Sequence, residues 1–221
     1  PVVIFQHGIT RNRTDVFAVA STFSAAGFVT VAIDLPLHGL PQDNPFYKNL
    51  ILEKVIEATG NTALRAFETN NERTFDADFV NNATGAAGAD KTADGSGTHF
   101  INLASPITTR DNLRQGAADL LTLRSSLANV DLDNDGQPDL DVSQIRFAGI
   151  SLGGIVGGVF LGADSGTSQK VGTSVLSVAG GSIAKLLDAS KSFGPRISKG
   201  LAGSGVIEGT DTYESFMRSV Q

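Results

Sequence analysis

Residues 149–154, Gly-Ile-Ser-Leu-Gly-Gly, fit the pattern G-x-S-x-G. In this pattern a sharp turn between a strand and a helix lifts a serine hydroxyl above a sheet. The context fits, because a strand predicted over Ile145–Gly149 precedes Ser151 and a glycine-rich helical segment, Leu152–Leu161, follows it. Glycine at both flanking positions relieves crowding in the turn. The chemistry this arrangement predicts is attack of the Ser151 hydroxyl on a carbonyl carbon.

Attack on a carbonyl needs donors for the negative oxygen that develops. The Leu152 N–H lies at the predicted start of the helix, where backbone N–H groups are free and the helix dipole is positive. A second N–H is expected from Ile9, in the loop after the first strand, where Gly8 lets the backbone approach a substrate. The predicted oxyanion site is therefore Ile9 and Leu152, with Gly8 and Ile9 contacting the substrate.

A serine nucleophile also needs a general base, usually a histidine held by a carboxylate. The three histidines, His7, His38 and His99, all precede Ser151. We interpret His7 and His38 as histidines that hold their loops through hydrogen bonds, and His99 as a residue that could contact a substrate. Acidic residues follow Ser151 without a histidine beside them, so the acid and the histidine of a triad stay unassigned in this chain.

An acidic turn precedes the serine strand. Asp131, Asp133, Asp135 and Gly136 match the opening of an EF-hand calcium loop, and Asp139 occupies its ninth position. The glutamate expected at the twelfth position is replaced by valine. Two interpretations stay open: a structural calcium site, and a surface turn rich in Asp, Asn and Gly.

The elements that must position these residues begin with a strand, a helix and a second strand. Val2–Phe5 is an apolar, β-branched run typical of a fully buried parallel strand. Apolar residues then recur with helical spacing, and Gly27 stands where a helix-terminating glycine belongs. The apolar face of this helix comprises Val16, Val19, Ala20 and Phe23. Phe28–Ile33 predicts the next strand, which completes a βαβ unit.

The rest of the chain continues this alternation. A long helix is predicted to begin at a capping Thr108 or Thr109, and a fourth strand over Val175–Ala179. The apolar face of that helix comprises Leu113, Ala117, Leu120, Leu121, Leu123 and Leu127.

Residues from about 59 to 105 are predicted to form a long insertion with a small hairpin near Phe75–Phe79. Weak helices near 183–187 and 213–217 belong to an apolar lid- or cap-like segment, about 182–221. The predicted fold class is α/β, a mostly parallel sheet flanked by helices.

Three motifs together, His7-Gly8-Ile9-Thr10, residues 34–39 (Asp-Leu-Pro-Leu-His-Gly) and residues 149–154, resemble the α/β-hydrolase superfamily, and specifically bacterial extracellular lipases and esterases. The resemblance covers most of residues 1 to about 180. It implies Ser151 as nucleophile, the Ile9 and Leu152 amides as oxyanion donors, and secretion. It further implies one partial hydrolase domain over 1–221, incomplete at both ends, with the acid and histidine expected after Gln221.

The net charge and the distribution of apolar residues exclude some classes of binding partner. A net charge of −6 without a basic stripe argues against nucleic acid, and no apolar run is long enough for a transmembrane segment. We expect a small-molecule or lipid ester as substrate and no required cofactor. The leading hypothesis is a serine carboxylic-ester hydrolase. The alternatives are an acyltransferase on the same fold and a non-catalytic, calcium-stabilised binding module.

Overall fold

The computed structural model describes residues 1–40, 53–60, 62, 72–133, 135–166 and 170–220. Its centre is a four-stranded parallel sheet with strand order β2-β1-β3-β4. The strands are Val2–Gln6 (β1), Val29–Ala32 (β2), Ile145–Ile150 (β3) and Thr173–Ser177 (β4). The predicted α/β class with a parallel sheet is therefore confirmed.

β1 is fully buried because it pairs on both sides. Val2 lies opposite Val29 of β2 and opposite Ile145 of β3, and all five β1 residues are buried. A strand buried on both faces favours a continuous apolar run over alternation, as the sequence shows here. The carboxyl ends of β1 and β3 consequently lie side by side, with Gln6 opposite Gly149.

Helices flank the sheet. They are Phe17–Ala25 (α1), Glu53–Thr59 (α2), Pro106–Ser126 (α3), Leu152–Asp164 (α4), Ile183–Asp188 (α5), Gly194–Ala202 (α6) and Asp211–Ser219 (α7). α3 packs on α4, and both contribute to one core with β1 and β3. No helix in the described parts of the chain combines the length and the apolar character needed to cross a membrane.

The predicted face of α1 is the less exposed one, yet no residue of this helix is fully buried. Val19, Ala20 and Phe23 are half-buried, whereas Phe17 is exposed. Gly27 follows the helix with φ of 83°, a conformation that favours glycine, so the predicted terminating glycine is present.

α3 begins earlier than its predicted threonine cap. Its first residue is Pro106, which is well suited to an N-terminal helical position. Thr109 lies inside the helix, and its hydroxyl accepts a hydrogen bond from the Asn102 N–H at 2.8 Å. The predicted inner face is confirmed at Ala117 and Leu120, which are buried.

The insertion lacks the predicted hairpin. Between residues 72 and 105 the only pairing in the described chain is a single antiparallel bridge between Val80 and Ala87. Phe75 and Phe79, whose alternation indicated a strand, are both exposed. Side-chain hydrogen bonds to backbone shape this segment instead; for example, Asp94 accepts from the Phe79 N–H at 2.7 Å. Residues 61 and 63–71 of the predicted insertion lie outside the described residues.

α5, α6 and α7 form a second cluster with its own apolar core. Its buried members are Ala184, Ile197, Leu201, Tyr213 and Met217. The Tyr213 hydroxyl donates to the Asp188 carboxylate, which ties α7 to the end of α5. α5 and α7 confirm the two predicted helices, whereas α6 was not predicted. That this segment acts as a lid stays a prediction.

Candidate active site

Ser151 connects β3 to α4 in a backbone conformation that side chains rarely adopt. Its φ is 53° and its ψ is −119°. Such a conformation costs about 1–3 kcal/mol and persists only where the surroundings enforce it. The Ser151 N–H donates to the Ser177 carbonyl at the end of β4 at 2.9 Å, which fixes the turn to the neighbouring strand. Ser151 is half-buried, so the turn combines strain with access to solvent.

The two glycines of the serine pattern are required by packing. A Cβ on Gly153 would lie 2.3 Å from the Gln6 carbonyl oxygen and 2.5 Å from that of His7. A Cβ on Gly149 would lie 2.5 Å from the Gly153 carbonyl oxygen. Backbone oxygens cannot move aside as a flexible side chain can, so α4 can start this close to β1 only with glycine at both positions.

Gly8 brings the loop after β1 into contact with the serine. A Cβ on Gly8 would lie 3.3 Å from the Ser151 Cβ and 3.8 Å from its Oγ. A side chain at position 8 would therefore press on the Ser151 Cβ and touch its hydroxyl. The structure thus brings Gly8 and Ser151 together, although 142 positions separate them in the sequence.

Two backbone N–H groups near this turn are available to a ligand. Within the described chain, neither the Ile9 N–H nor the Leu152 N–H donates a hydrogen bond to another residue. Leu152 is the first residue of the 13-residue helix α4, whose dipole places partial positive charge there. The two N–H groups belong to the residues that directly follow Gly8 and Ser151, which are in contact, and this makes them the candidate donors to a substrate oxygen.

His7 is buried and uses both of its ring nitrogens to hold loops together. Its Nδ1–H donates to the Gly8 carbonyl at 2.8 Å, and its Nε2 accepts from the Leu35 N–H at 3.1 Å. Burial lowers the pKa of His7 to about 4, so the ring is neutral at neutral pH. This geometry agrees with the interpretation of His7 as a loop-holding residue.

His38 lies beside His7 in the same buried layer. The two ring centroids are 5.1 Å apart, and Phe100 packs on the other side of His38 at 5.2 Å. The Nδ1–H of His38 donates to the Pro36 carbonyl at 2.9 Å, and burial lowers the pKa of this residue to about 4 as well. His38 therefore packs as a neutral ring beneath the loops.

Because His7 and His38 are buried as neutral rings, we expect the free energy of unfolding to fall as the solution becomes acidic. The unfolded chain takes up protons near pH 6.5, whereas the folded rings resist protonation down to about pH 4. Stability is thus fully present above about pH 6.5 and is lost as the pH falls towards 4. Two such groups give a slope of up to about 2.7 kcal/mol per pH unit in this window. Urea denaturation at several pH values measures the slope, and NMR titration of the ring protons assigns it. Ring pKa values near 6.5 would contradict the prediction.

Asp34 anchors the segment that follows β1 through Arg13, a role that was not predicted from the sequence. Its buried carboxylate accepts from the Arg13 backbone N–H at 2.5 Å and pairs with the Arg13 guanidinium. Burial raises the pKa of Asp34, and the contacts with Arg13 act in the opposite direction. The position of Asp34 in the sequence could have indicated this role, because Asp34 follows β2 at the carboxyl edge of a parallel sheet, where functional side chains collect.

The insertion folds back against the same loop. The Ser96 hydroxyl donates to the Arg11 carbonyl at 2.6 Å and accepts from the Gly39 N–H at 3.0 Å.

The third histidine, His99, lies in the insertion and contacts the buried carboxylate of Asp94 through its Nε2 at 2.6 Å. None of the three histidines, all of which the structure describes, hydrogen-bonds to the Ser151 hydroxyl. Among the described residues, the structure consequently brings the serine close to Gly8 without a histidine in contact with its hydroxyl.

The acidic turn lies elsewhere in the fold. Oxygen atoms of Asp131, Asp133 and Asp139 come within 4.8 Å of one another. Asp135 is not in this group, and its carboxylate accepts from the Gln137 N–H at 2.8 Å. The cluster precedes β3 whereas Ser151 follows it, so these carboxylates and the serine belong to opposite ends of the strand. A cation bound there would stabilise the turn that precedes β3.

No family model matches the chain, and neither a curated protein nor a solved structure matches it. The functional argument therefore rests on the geometry of the chain itself.

Calcium binding at Asp131, Asp133 and Asp139 stays a prediction with a direct test. If the site binds, millimolar calcium should raise the melting temperature, because a ligand that binds only the folded state stabilises it. An Asp131→Asn variant should lose this response, and an Asp211→Asn variant on α7 is the control. Equal melting temperatures with calcium and with chelator would favour the surface-turn interpretation.

Proposed function

We propose that this chain has the α/β-hydrolase fold and acts as a serine carboxylic-ester hydrolase with Ser151 as its nucleophile. The observation that supports the proposal most strongly is the Ser151 turn: a serine at φ of 53° between a parallel strand and a helix, with Gly8 packed against its side chain. Backbone strain of this kind is concentrated at functional sites. The coarser finding, a parallel α/β sheet, is compatible with this fold.

In the proposed mechanism the Ser151 Oγ attacks the ester carbonyl carbon as its proton passes to a base. The carbonyl oxygen becomes negative and accepts hydrogen bonds from the Ile9 and Leu152 N–H groups. Collapse of this intermediate expels the alcohol, which takes a proton, and leaves the acyl group on Ser151. Water then attacks the acyl-serine, and release of the carboxylic acid regenerates the hydroxyl.

The proposal requires a general base that the described contacts do not supply. His7 has both ring nitrogens occupied, and His38 is buried with a pKa of about 4. The acid and the histidine of a triad stay unassigned in this chain, and secretion stays a prediction. The Asp94–His99 pair has the composition of a carboxylate-held base, but it does not contact Ser151.

An acyltransferase would use the same acyl-serine and would pass the acyl group to an alcohol instead of water. A non-catalytic binding module would keep the fold and form no acyl-serine, and it is favoured by the finding that none of the three histidines contacts the Ser151 hydroxyl. The three functions are separated by incubating the full-length protein with p-nitrophenyl esters, with and without added alcohol. We expect free carboxylic acid as the main product. A preponderance of the new ester would favour the transferase, and no turnover would favour the binding module.

A further inference from the structure

A tight turn over residues 8–11 carries the Ile9 N–H, one of the two candidate donors to a substrate oxygen. The Arg11 N–H donates to the Gly8 carbonyl at 3.2 Å, which closes the turn. Thr10, the third residue of the turn, has a φ of 63°. A β-branched residue is a genuine outlier in this region, and such strain persists only where the surroundings enforce it. The contacts around the turn must therefore hold it in place.

The direction of the Ile9 N–H depends on the Gly8 carbonyl, because the two groups belong to one peptide unit. A trans peptide is planar, and its C=O and N–H point in opposite directions. The Gly8 carbonyl accepts two hydrogen bonds, from the Arg11 N–H and from the His7 Nδ1–H at 2.8 Å. With the carbonyl fixed on one side, the Ile9 N–H is fixed on the other.

Ser96 of the insertion holds the last residue of this turn. Its hydroxyl donates to the Arg11 carbonyl at 2.6 Å and accepts from the buried Gly39 N–H at 3.0 Å. The next residue of the insertion, Gly97, donates its N–H to the Leu37 carbonyl at 2.8 Å. These hydrogen bonds fasten this part of the insertion to the two segments that follow β1 and β2.

We propose that Ser96 is a positioning residue of the oxyanion site. By holding Arg11, it keeps the turn in the conformation that presents the Ile9 N–H to the substrate oxygen. This inference rests on the proposed function, since it gives Ser96 a part in the reaction at Ser151. Ser96 acts on the turn through a backbone oxygen, so its removal should affect the transition state, in which the oxyanion forms, more than the binding of the ester.

The kinetic test compares Ser96→Ala with Ser96→Thr in the full-length protein, with p-nitrophenyl acetate as substrate. Ser96→Ala should lower kcat about tenfold and leave KM within about twofold, because a misplaced group slows the chemical step. Ser96→Thr keeps the hydroxyl and should restore most of kcat. Thr98→Ala is the matched control, since the Thr98 hydroxyl donates within the insertion, to the Gly95 carbonyl at 2.6 Å. This variant should keep both kinetic constants of the parent protein.

Hydrogen exchange follows the turn itself and does not depend on turnover. The Arg11 N–H, which closes the turn, should exchange about tenfold faster in Ser96→Ala than in the parent protein and in Thr98→Ala. Circular dichroism checks folding, because the alanine leaves the buried Gly39 N–H without this partner. Ser96→Cys takes the place of an alanine variant that does not fold. Its thiol is a weaker donor, so kcat should again fall with KM retained.

The outcomes separate the positioning role from the proposed function. Unchanged kcat in the folded Ser96 variant, beside serine-dependent turnover in the parent protein, would overturn the positioning role and leave the hydrolase standing. An equal fall of kcat in Thr98→Ala would overturn it too, because the cause would be general damage to the insertion. Absence of any turnover that Ser151→Ala abolishes would overturn the hydrolase and with it the part of Ser96 in the reaction, whatever the exchange rate of the Arg11 N–H.

Discussion

Replacement of Ser151 by alanine is expected to lower kcat for p-nitrophenyl esters by about 10⁴-fold or more in the full-length protein. The reason is chemical, because alanine has no oxygen to attack the carbonyl carbon, so no acyl-serine forms. Alanine at a φ of 53° carries the same backbone strain as serine, so no large change in stability is expected from the backbone. Thermal denaturation should accompany the kinetic assay, because unfolding must be separated from loss of the nucleophile.

The matched control for this substitution is Ser165→Ala, just after the other end of α4. The Ser165 hydroxyl is exposed and donates to the Gly162 carbonyl at 2.7 Å, away from the serine turn. Its removal should leave kcat within about twofold of the parent protein, since a surface substitution of this kind shifts stability by at most about 0.5 kcal/mol. Equal activity of the two alanine variants and the parent protein would contradict the assignment of Ser151.

Replacement of Gly153 by alanine is expected to lower the free energy of unfolding by about 3 kcal/mol or more. The added methyl group would lie 2.3 Å from the Gln6 carbonyl oxygen, so α4 or β1 must shift by several tenths of an ångström. Overpacking against a well-packed backbone typically costs about 1–3 kcal/mol, and here it also displaces the serine turn. Urea denaturation measures the stability, and ester hydrolysis should fall in parallel even where the variant stays folded.

Gly162→Ala is the control for the second prediction, because it makes the same substitution in the same helix. A Cβ at Gly162 meets nothing within 4 Å. Alanine favours helix over glycine by about 0.8–1.0 kcal/mol, so this variant should be more stable than the parent protein. Similar stability of Gly153→Ala and Gly162→Ala would mean that the close approach of α4 to β1 is not required.

The sequence was sufficient to predict the elements that form the sheet. β1 is a continuous apolar run from Val2 to Phe5, and β3 is a short, mostly apolar segment that leads directly into the serine turn. The serine turn could also be predicted, because a strand, a small residue, a serine and a helix form a local pattern. The contact of Gly8 with Ser151 followed from topology, since adjacent parallel strands bring their carboxyl ends together.

The features that could not be predicted depend on contacts between parts of the chain that are distant in sequence. The hydrogen bond of Arg13 to Asp34 and that of Ser96 to Arg11 join residues 21 and 85 positions apart, and no local pattern indicates them. The predicted hairpin at Phe75–Phe79 was wrong because side-chain hydrogen bonds, such as that of Asp94, competed with strand pairing. α6 was missed because it begins with Gly194 and Pro195, which commonly indicate a turn, although proline is tolerated in the first turn of a helix.

The most direct test of the central claim is covalent labelling of the full-length protein with a fluorophosphonate, followed by peptide mass spectrometry. Such reagents form a stable bond with a serine oxygen that is activated as a nucleophile and positioned beside oxyanion donors. We predict a single modification, on Ser151, that is absent from the Ser151→Ala variant and unchanged in Ser165→Ala. An unmodified Ser151, or labelling that falls on other serines to the same extent, would contradict the assignment of Ser151 as the nucleophile.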